Sequence, residues 1–349
     1  MAVKTTFLYQ NNIIVLDEDI KKNVLSINNV DYYVCSINPQ FGRNKGANSF
    51  VFKLYPCQDF VDAYNSVPQK VIKVSKYFDL NNGDEIEDSE YNQRFRDEIE
   101  ALKDCKSHHI NTMINEIKRI GNDYFIEINL EGKVNIIEID YDDHIVCSQI
   151  RKNFRGKEIK KDIYFPFYMM DYAEGDLKTY LEENKIDKSA KLDLCLQLAE
   201  GLNDLNRLNY YHRDIKPDNI LFFGNQWKIG DLGLVAHRDR NTDDINEFIG
   251  PKGWLSPEAM NKYLAEGRCD KMIDCKIDHQ SDIFQIGKVF WYILQGNAPI
   301  GCIKRPDFLE KDDSIYVLIR TMLNYSKKRR IKDISDVVKE LERIIDKTL

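Results

Sequence analysis

The stretch from Tyr211 to Gly233, YHRDIKPDNILFFGNQWKIGDLG, constrains this chain more than any other. Two short runs, Ile220 to Phe223 and Trp227 to Ile229, are rich in β-branched and aromatic residues and are separated by Gly224-Asn225-Gln226, so they predict a hairpin with a tight turn. A turn centred near Asn225 sets Asn219 and Asp231 almost opposite each other, within the roughly 5 Å at which cross-strand side chains meet. Two oxygen ligands then face one point, which suits a hard divalent cation such as Mg²⁺ completed by phosphate and water oxygens. Asp214 and Lys216 sit just upstream, before the rigid Pro217. A second carboxylate and a cation beside a metal pair point to phosphoryl-transfer chemistry.

The string HRDIKPDN followed by DLG resembles the catalytic loop and metal motif of eukaryotic-type serine/threonine protein kinases. The resemblance implies an α+β, bilobal protein-kinase-like fold, with an antiparallel β-sheet small lobe, a mainly helical large lobe and ATP between them. It implies that Asp214 accepts the substrate hydroxyl proton, that Lys216 steadies the transferring phosphoryl group, and that Asn219 and Asp231 hold Mg²⁺. A lysine two residues after the aspartate is similar to the serine/threonine pattern; tyrosine kinases carry an Ala-Arg arrangement there. By the same resemblance, residues 1–29 form an amino-terminal extension, 30–170 the small lobe with an insertion around 111–165, 171–173 the hinge and 174–349 the large lobe.

The amino-terminal half supplies counterparts. Residues 1–29 contain strand-like pieces, and Tyr32 to Ile37 and Phe50 to Leu54 read as strands around a loop from Asn38 to Ser49. That loop resembles the glycine-rich loop over ATP phosphates, with Gly46, Ser49 and Val51 in place and either Asn44 or, with two residues inserted, Gly42 at the first position. Lys70 to Val74 is a strand whose period of two puts Val71 and Lys73 on one face. Lys73 matches the family's phosphate-gripping lysine and Val71 an adenine-facing residue; Lys70 and Lys76 read as solvated. Asp79 to Ser89 reads as an acidic loop, and Glu90 to Cys105 as a helix with an apolar stripe of Phe95, Ile99 and Leu102. Glu98 borders that stripe, where an acid needs a cation, and the family makes it the partner of Lys73. Two alternating runs around Glu131-Gly132 predict an elongated hairpin, and Lys152 to Lys161 a basic, flexible insertion. FPFYMMDYAEGDL resembles the strand and hinge beside adenine: Met170 as gatekeeper, Asp171 to Ala173 offering backbone groups, and Asp176 near the ribose.

Beyond the hairpin, Leu221 matches the residue beneath adenine, and Leu192, Cys195, Leu198 or Ala199, Leu202 and Leu205 mark an amphipathic helix leading into the catalytic stretch. Ser256-Pro257-Glu258 resembles the motif that anchors the activation segment, with Arg330 or Arg329 as the buried partner of Glu258. Ser281 to Gly296 is apolar nearly all round, as a central helix should be, and Asp282 matches the aspartate that ties this helix to the catalytic loop. Val337, Leu341, Ile344 and Ile345 mark a closing helix. Two departures stand out: Leu232 replaces the usual phenylalanine, and Pro251 stands where a threonine usually contacts the catalytic loop. Arg213 is placed to clamp a phosphate on Thr242, or the acids Asp243, Asp244 and Glu247 supply that charge constitutively.

The 349 residues are 43% hydrophobic, enough for one large or two smaller cores, and a net charge of −7 argues against a nucleic-acid surface. The basic run Lys327 to Arg330 reads as a solvated turn. Eight cysteines lack paired spacing, which predicts reduced thiols and a cytoplasmic protein; no run reaches the roughly 20 apolar residues that span a bilayer. Richness in Ile, Asn, Lys, Asp and Tyr fits an AT-rich bacterial or viral genome. The expectation is therefore an ATP- and Mg²⁺-dependent kinase acting on a protein Ser/Thr hydroxyl, with autophosphorylation. A catalytically inert kinase-fold scaffold and a small-molecule phosphotransferase are the alternatives.

Overall fold

The computed structural model describes residues 6–9, 12–15, 19–22, 24–27, 30–36, 49–75, 79–81, 86–87, 92–105, 107–108, 126–130, 133–140, 144–152, 158–240, 249–265 and 273–347. The chain divides into two compact units, residues 1–99 with 113–172 and residues 100–112 with 173–349.

The first unit is built of strands β1 (Thr6–Tyr9), β2 (Asn12–Val15), β3 (Val24–Ile27), β4 (Val30–Ser36), β5 (Ser49–Pro56), β6 (Lys70–Ser75), β7 (Asp79–Asn81) and β8 (Ile86–Glu87). After helix α1 (Gln93–Asp104) come β9 (Ile126–Leu130), β10 (Lys133–Asp140), β11 (His144–Lys152) and β12 (Glu158–Asp171). Antiparallel pairing orders the main sheet β3-β4-β5-β6-β12-β11-β10-β9, with β7 and β8 branching from β12. β6 lies at its middle, and Val71 to Ser75 are buried without interruption, as a strand covered on both faces should be. The stripe of Phe95, Ile99 and Leu102 on α1 is buried, and Ser75 Oγ donates to Asn92 Oδ1 at 2.6 Å just ahead of that helix.

Three expectations for this unit change. Residues 152 and 158–161, read as part of a flexible insertion, are strand: Lys152 pairs with Glu158 and Gln149 with Lys161. A neighbouring strand with free backbone groups overrides the weak strand preference of a lysine-rich run. The acidic stretch from Asp79 contains the short paired strands β7 and β8. The expected extension contributes β3 to the main sheet, through pairing with β4. The expected hairpin around Glu131-Gly132 is present as β9 and β10, with Lys133 opposite Leu130.

The second unit is mainly helical. It contains β13 (Gly175–Asp176), α2 (Leu177–Glu183), α3 (Lys188–Arg207), β14 (Tyr210–Tyr211), β15 (Ile220–Phe223), β16 (Gln226–Ile229) and β17 (Ala236–His237), then α4 (Pro257–Leu264), α5 (His279–Gln295), α6 (Asp313–Met322) and α7 (Ile334–Asp346). Each helix starts on a side chain able to accept an orphan N–H. Asp187 caps α3, Ser256 caps α4 with Pro257 in its first turn, and Asp278 caps α5 in a reciprocal box with Ser281. Gly296 ends α5 in the left-handed conformation. α5 is buried along nearly its whole length, and a Cβ on Gly287 would lie 2.9 Å from Met322 Cβ, so glycine permits the close approach of α6. Among the described residues, no helix is long and apolar enough to cross a membrane, and Cys35, Cys57, Cys105, Cys195 and Cys302 are free thiols.

Candidate active site

In the first unit β6 presents Lys73 and α1 presents Glu98, both buried, with Lys73 Nζ 2.7 Å from Glu98 Oε1. Two charges this far from water persist only when paired and further hydrogen-bonded. Tyr168, directly across from Lys73 on β12, supplies the additional bond: its hydroxyl donates to Glu98 Oε1 at 2.8 Å, and its ring centroid is 5.7 Å from the ammonium. Nothing in the sequence marks Tyr168, because the register that sets it opposite Lys73 is a tertiary fact.

Val51 pairs across with Lys73, Ser49 with Ser75, and Val71 with Met170, so Ser49, Val51, Val71 and Met170 frame the lysine along adjacent strands. Asp171 forms an ion pair with Lys70 in which both side chains remain partly exposed. The Tyr172 N–H donates to Gln69 O at 3.0 Å and is already committed within the protein. Gly42, Gly46 and Asn44 lie outside the described residues, as do Thr242, Asp243, Asp244 and Glu247.

In the second unit the hairpin β15–β16 forms with Phe223 opposite Gln226 and Ile220 opposite Ile229. The turn is thus one half-step earlier than a centre at Asn225, and Asn219 faces Gly230, whose N–H donates to Asn219 O at 2.8 Å. Asp231 follows with φ 59°, leaving strand geometry at once. A Cβ on Gly230 would come within 2.6 Å of Leu221 Cδ1, so a larger residue there would have to displace that side chain.

Around Asp214 the bonds converge. Lys216 Nζ donates to Asp214 Oδ2 at 2.9 Å, and Asn219 Nδ2 donates to the same oxygen at 2.8 Å and to the Asp214 carbonyl at 2.9 Å. With its nitrogen so engaged, Asn219 has Oδ1 as the atom suited to a cation. His212 is fully buried, and burial pushes its pKa below the ordinary imidazole value, so the ring stays neutral: Nε2–H donates to Gly230 O and Nδ1 accepts the Asp214 N–H. Asp282 accepts the N–H groups of His212 and Arg213, each at 2.8 Å. Burial pushes its carboxyl up to about 7, with those two donors pulling the other way.

Arg213, at φ 68°, directs its guanidinium to the carbonyls of Leu234 and Val235. Asp176 caps α2 through Thr179, whose N–H donates to Oδ1 at 2.9 Å and Oγ1–H to Oδ2 at 3.1 Å, and each oxygen keeps a lone pair for a further donor. Leu221, half-buried, pairs across from Asp176. Glu258 is bound by Arg330, Nη2 to Oε1 at 2.8 Å, while Arg329 is exposed; this resolves the two arginines left open by spacing. Lys288 Nζ donates to Gly253 O at 2.7 Å, beside the ring of Trp254. Arg240 pairs both guanidinium nitrogens with the Glu100 carboxylate.

Over residues 63–349 the sequence matches the protein kinase domain. The chain belongs to that family. It is 30% identical to the rat Misshapen-like kinase 1 over 38% of its own length and 10% of that protein, and 31% identical to the Schizosaccharomyces pombe serine/threonine-protein kinase cds1 over 41% of its length and 31% of that protein. Mitogen-activated protein kinase kinase 9 of Arabidopsis thaliana is 30% identical over 38% of this chain and 40% of the relative. The matched stretches thus span well under half of each relative. The strand-rich first unit and the helical second unit are the two halves of a protein kinase fold. The match begins in the β5–β6 connection, leaving strands β1 to β5 outside it.

Proposed function

We propose that this kinase domain transfers the γ-phosphoryl group of Mg²⁺·ATP to serine or threonine hydroxyls of a protein, its own chain included. The observation that carries the reading is the double grip on Asp214 Oδ2 by Lys216 and Asn219. A carboxylate so oriented is ready to accept a hydroxyl proton, and the Lys216 ammonium beside it can offset charge gathering on the transferred group. Asn219 Oδ1 and the exposed Asp231 carboxylate are hard oxygen donors of the kind that hold Mg²⁺ when phosphate and water complete the shell. Bound there, Mg²⁺ would neutralise phosphate charge.

In the first unit Lys73, steadied by Glu98 and Tyr168, is the cation for the α and β phosphates, and Val51, Val71, Met170 and the Asp171 backbone are the adenine-side residues; in the second unit Leu221 and the Ala173 backbone carry the family's matching positions. The buried Glu258–Arg330 pair, which anchors the segment after DLG, favours a protein acceptor over a small molecule. The test is incubation of the purified chain with labelled ATP and dephosphorylated casein, with Mg²⁺ or with chelator, followed by phosphoamino-acid analysis. Mg²⁺-dependent phosphoserine or phosphothreonine is expected; absence of label, or label on tyrosine alone, contradicts the reading.

A further inference from the structure

Asp214 is held by its backbone as well as by its carboxylate, and α5 does the holding. Three residues after Asp282, Gln285 projects from the same face and is 2% exposed. Its Nε2 donates to Arg213 O at 3.1 Å, and its Oε1 accepts the Ile215 N–H at 3.2 Å. Those partners fix the amide's orientation, because only the nitrogen end can donate to a carbonyl and only the oxygen end can accept from an N–H. They also belong to the two peptide units that flank Asp214, the Arg213 carbonyl entering it and the Ile215 N–H leaving it.

The surroundings make this clamp tight. Arg213 sits at φ 68°, a conformation that persists only when its neighbourhood over-determines it. Gly250, at φ 112°, lies over the clamp: a Cβ there would be 3.4 Å from Arg213 O, 3.6 Å from Gln285 Nε2 and 2.7 Å from Leu255 Cδ2. The next residue, Pro251, has no hydroxyl to offer the catalytic loop.

We propose that Gln285 is a positioning residue for Asp214, its amide clamping both peptide units of the aspartate and so setting where the carboxylate points. The proposal rests on the phosphoryl-transfer reading above and adds a residue outside the HRDIKPDN and DLG motifs. An apolar side chain of the same length leaves a buried carbonyl and N–H without partners, and each peptide plane is then held on its other edge alone, by Asp214 N–H to His212 Nδ1 and by Asn219 Nδ2 to Asp214 O. A displacement of about 1 Å at a reacting group lowers rates by about 10²-fold.

The experiment compares wild type, Gln285→Met and Gln285→Glu in single-turnover transfer from labelled Mg²⁺·ATP to dephosphorylated casein, with the active fraction taken from nucleotide-binding stoichiometry. For Gln285→Met the rate per bound nucleotide should fall about 10- to 100-fold while the nucleotide Kd moves less than about 2-fold. Gln285→Glu keeps the acceptor for Ile215 but loses the donor to Arg213, and should fall less. A wild-type rate per bound nucleotide in Gln285→Met overturns the proposal, as does a loss seen only as reduced stoichiometry, the signature of a merely structural side chain. If Gln285→Met does not fold, the same criteria apply to Gln285→Glu. If wild type labels no protein, the functional reading fails, and amide hydrogen exchange at Ile215 judges the clamp separately: faster exchange in Gln285→Met supports it, and unchanged exchange overturns it.

Discussion

Replacing Arg330 by methionine should cost the second unit about 3–5 kcal/mol, the usual consequence of leaving one member of a buried ion pair alone. Both side chains are essentially out of water, and the guanidinium meets Glu258 twice, at 2.8 Å and 3.2 Å. Its remaining N–H groups go to the carbonyls of Gln280, Asn324 and Tyr325, and it lies 5.0 Å from the Phe284 ring centroid. Methionine keeps much of the volume and none of these bonds, so Glu258 is left with Ser281 Oγ, 3.1 Å away, as its bonded partner among those described. Glu258→Gln alone strands the cation in turn. The double variant removes both charges and should recover about 2–3 kcal/mol relative to the sum of the singles. Urea titrations of the four proteins, compared at constant m, measure this coupling. A loss under about 1 kcal/mol for Arg330→Met, or singles that add within about 0.5 kcal/mol, would refute the reasoning.

Asp282 gives a pH signature of defined sign. Its folded pKa of about 7 lies above the ordinary 3.8, so its contribution is fully present below 3.8 and is lost as pH rises through 7. The stability of wild type relative to Asp282→Asn should therefore fall by about 4 kcal/mol over that window, at about 1.4 kcal/mol per pH unit. The opposite effect of His212, held neutral by burial and destabilising as pH falls below 6.5, is common to both proteins and cancels; a flat difference between pH 4 and 7 would exclude the assignment. Gly287→Ala should cost about 1–3 kcal/mol by pushing α5 from α6, and a chemical-denaturation midpoint equal to wild type would count against that contact. Tyr168→Phe removes a hydrogen bond to a carboxylate and should cost about 1.5–3 kcal/mol while leaving the Lys73–Glu98 pair; denaturation together with nucleotide affinity checks this, and an unchanged midpoint would remove Tyr168 from the site.

The sequence carried local information well and tertiary register poorly. The stripe on α1 and the continuous burial of α5 were legible because helical periodicity is written in the residues themselves. Lys73, Glu98, Asp214, Lys216, Asn219 and Glu258 stood out through motif spacing, and their neighbours are those that charge and burial demand. The hairpin turn was misplaced by half a residue because Gly224-Asn225-Gln226 permits either centre, and only strand pairing selects one. Tyr168 and Gln285 were invisible for a related reason. One acts across strands and the other from a helix about 70 residues away in sequence, with no local pattern linking either to its partner.

The most direct measurement is the rate of phosphoryl transfer from Mg²⁺·ATP to casein by Asp214→Asn beside wild type, with nucleotide affinity measured on both. Asparagine keeps the size of the side chain but cannot take the hydroxyl proton at neutral pH. Transfer should fall by about 10²-fold or more with nucleotide binding intact. Transfer at the wild-type rate by Asp214→Asn would contradict the assignment of Asp214 as the base.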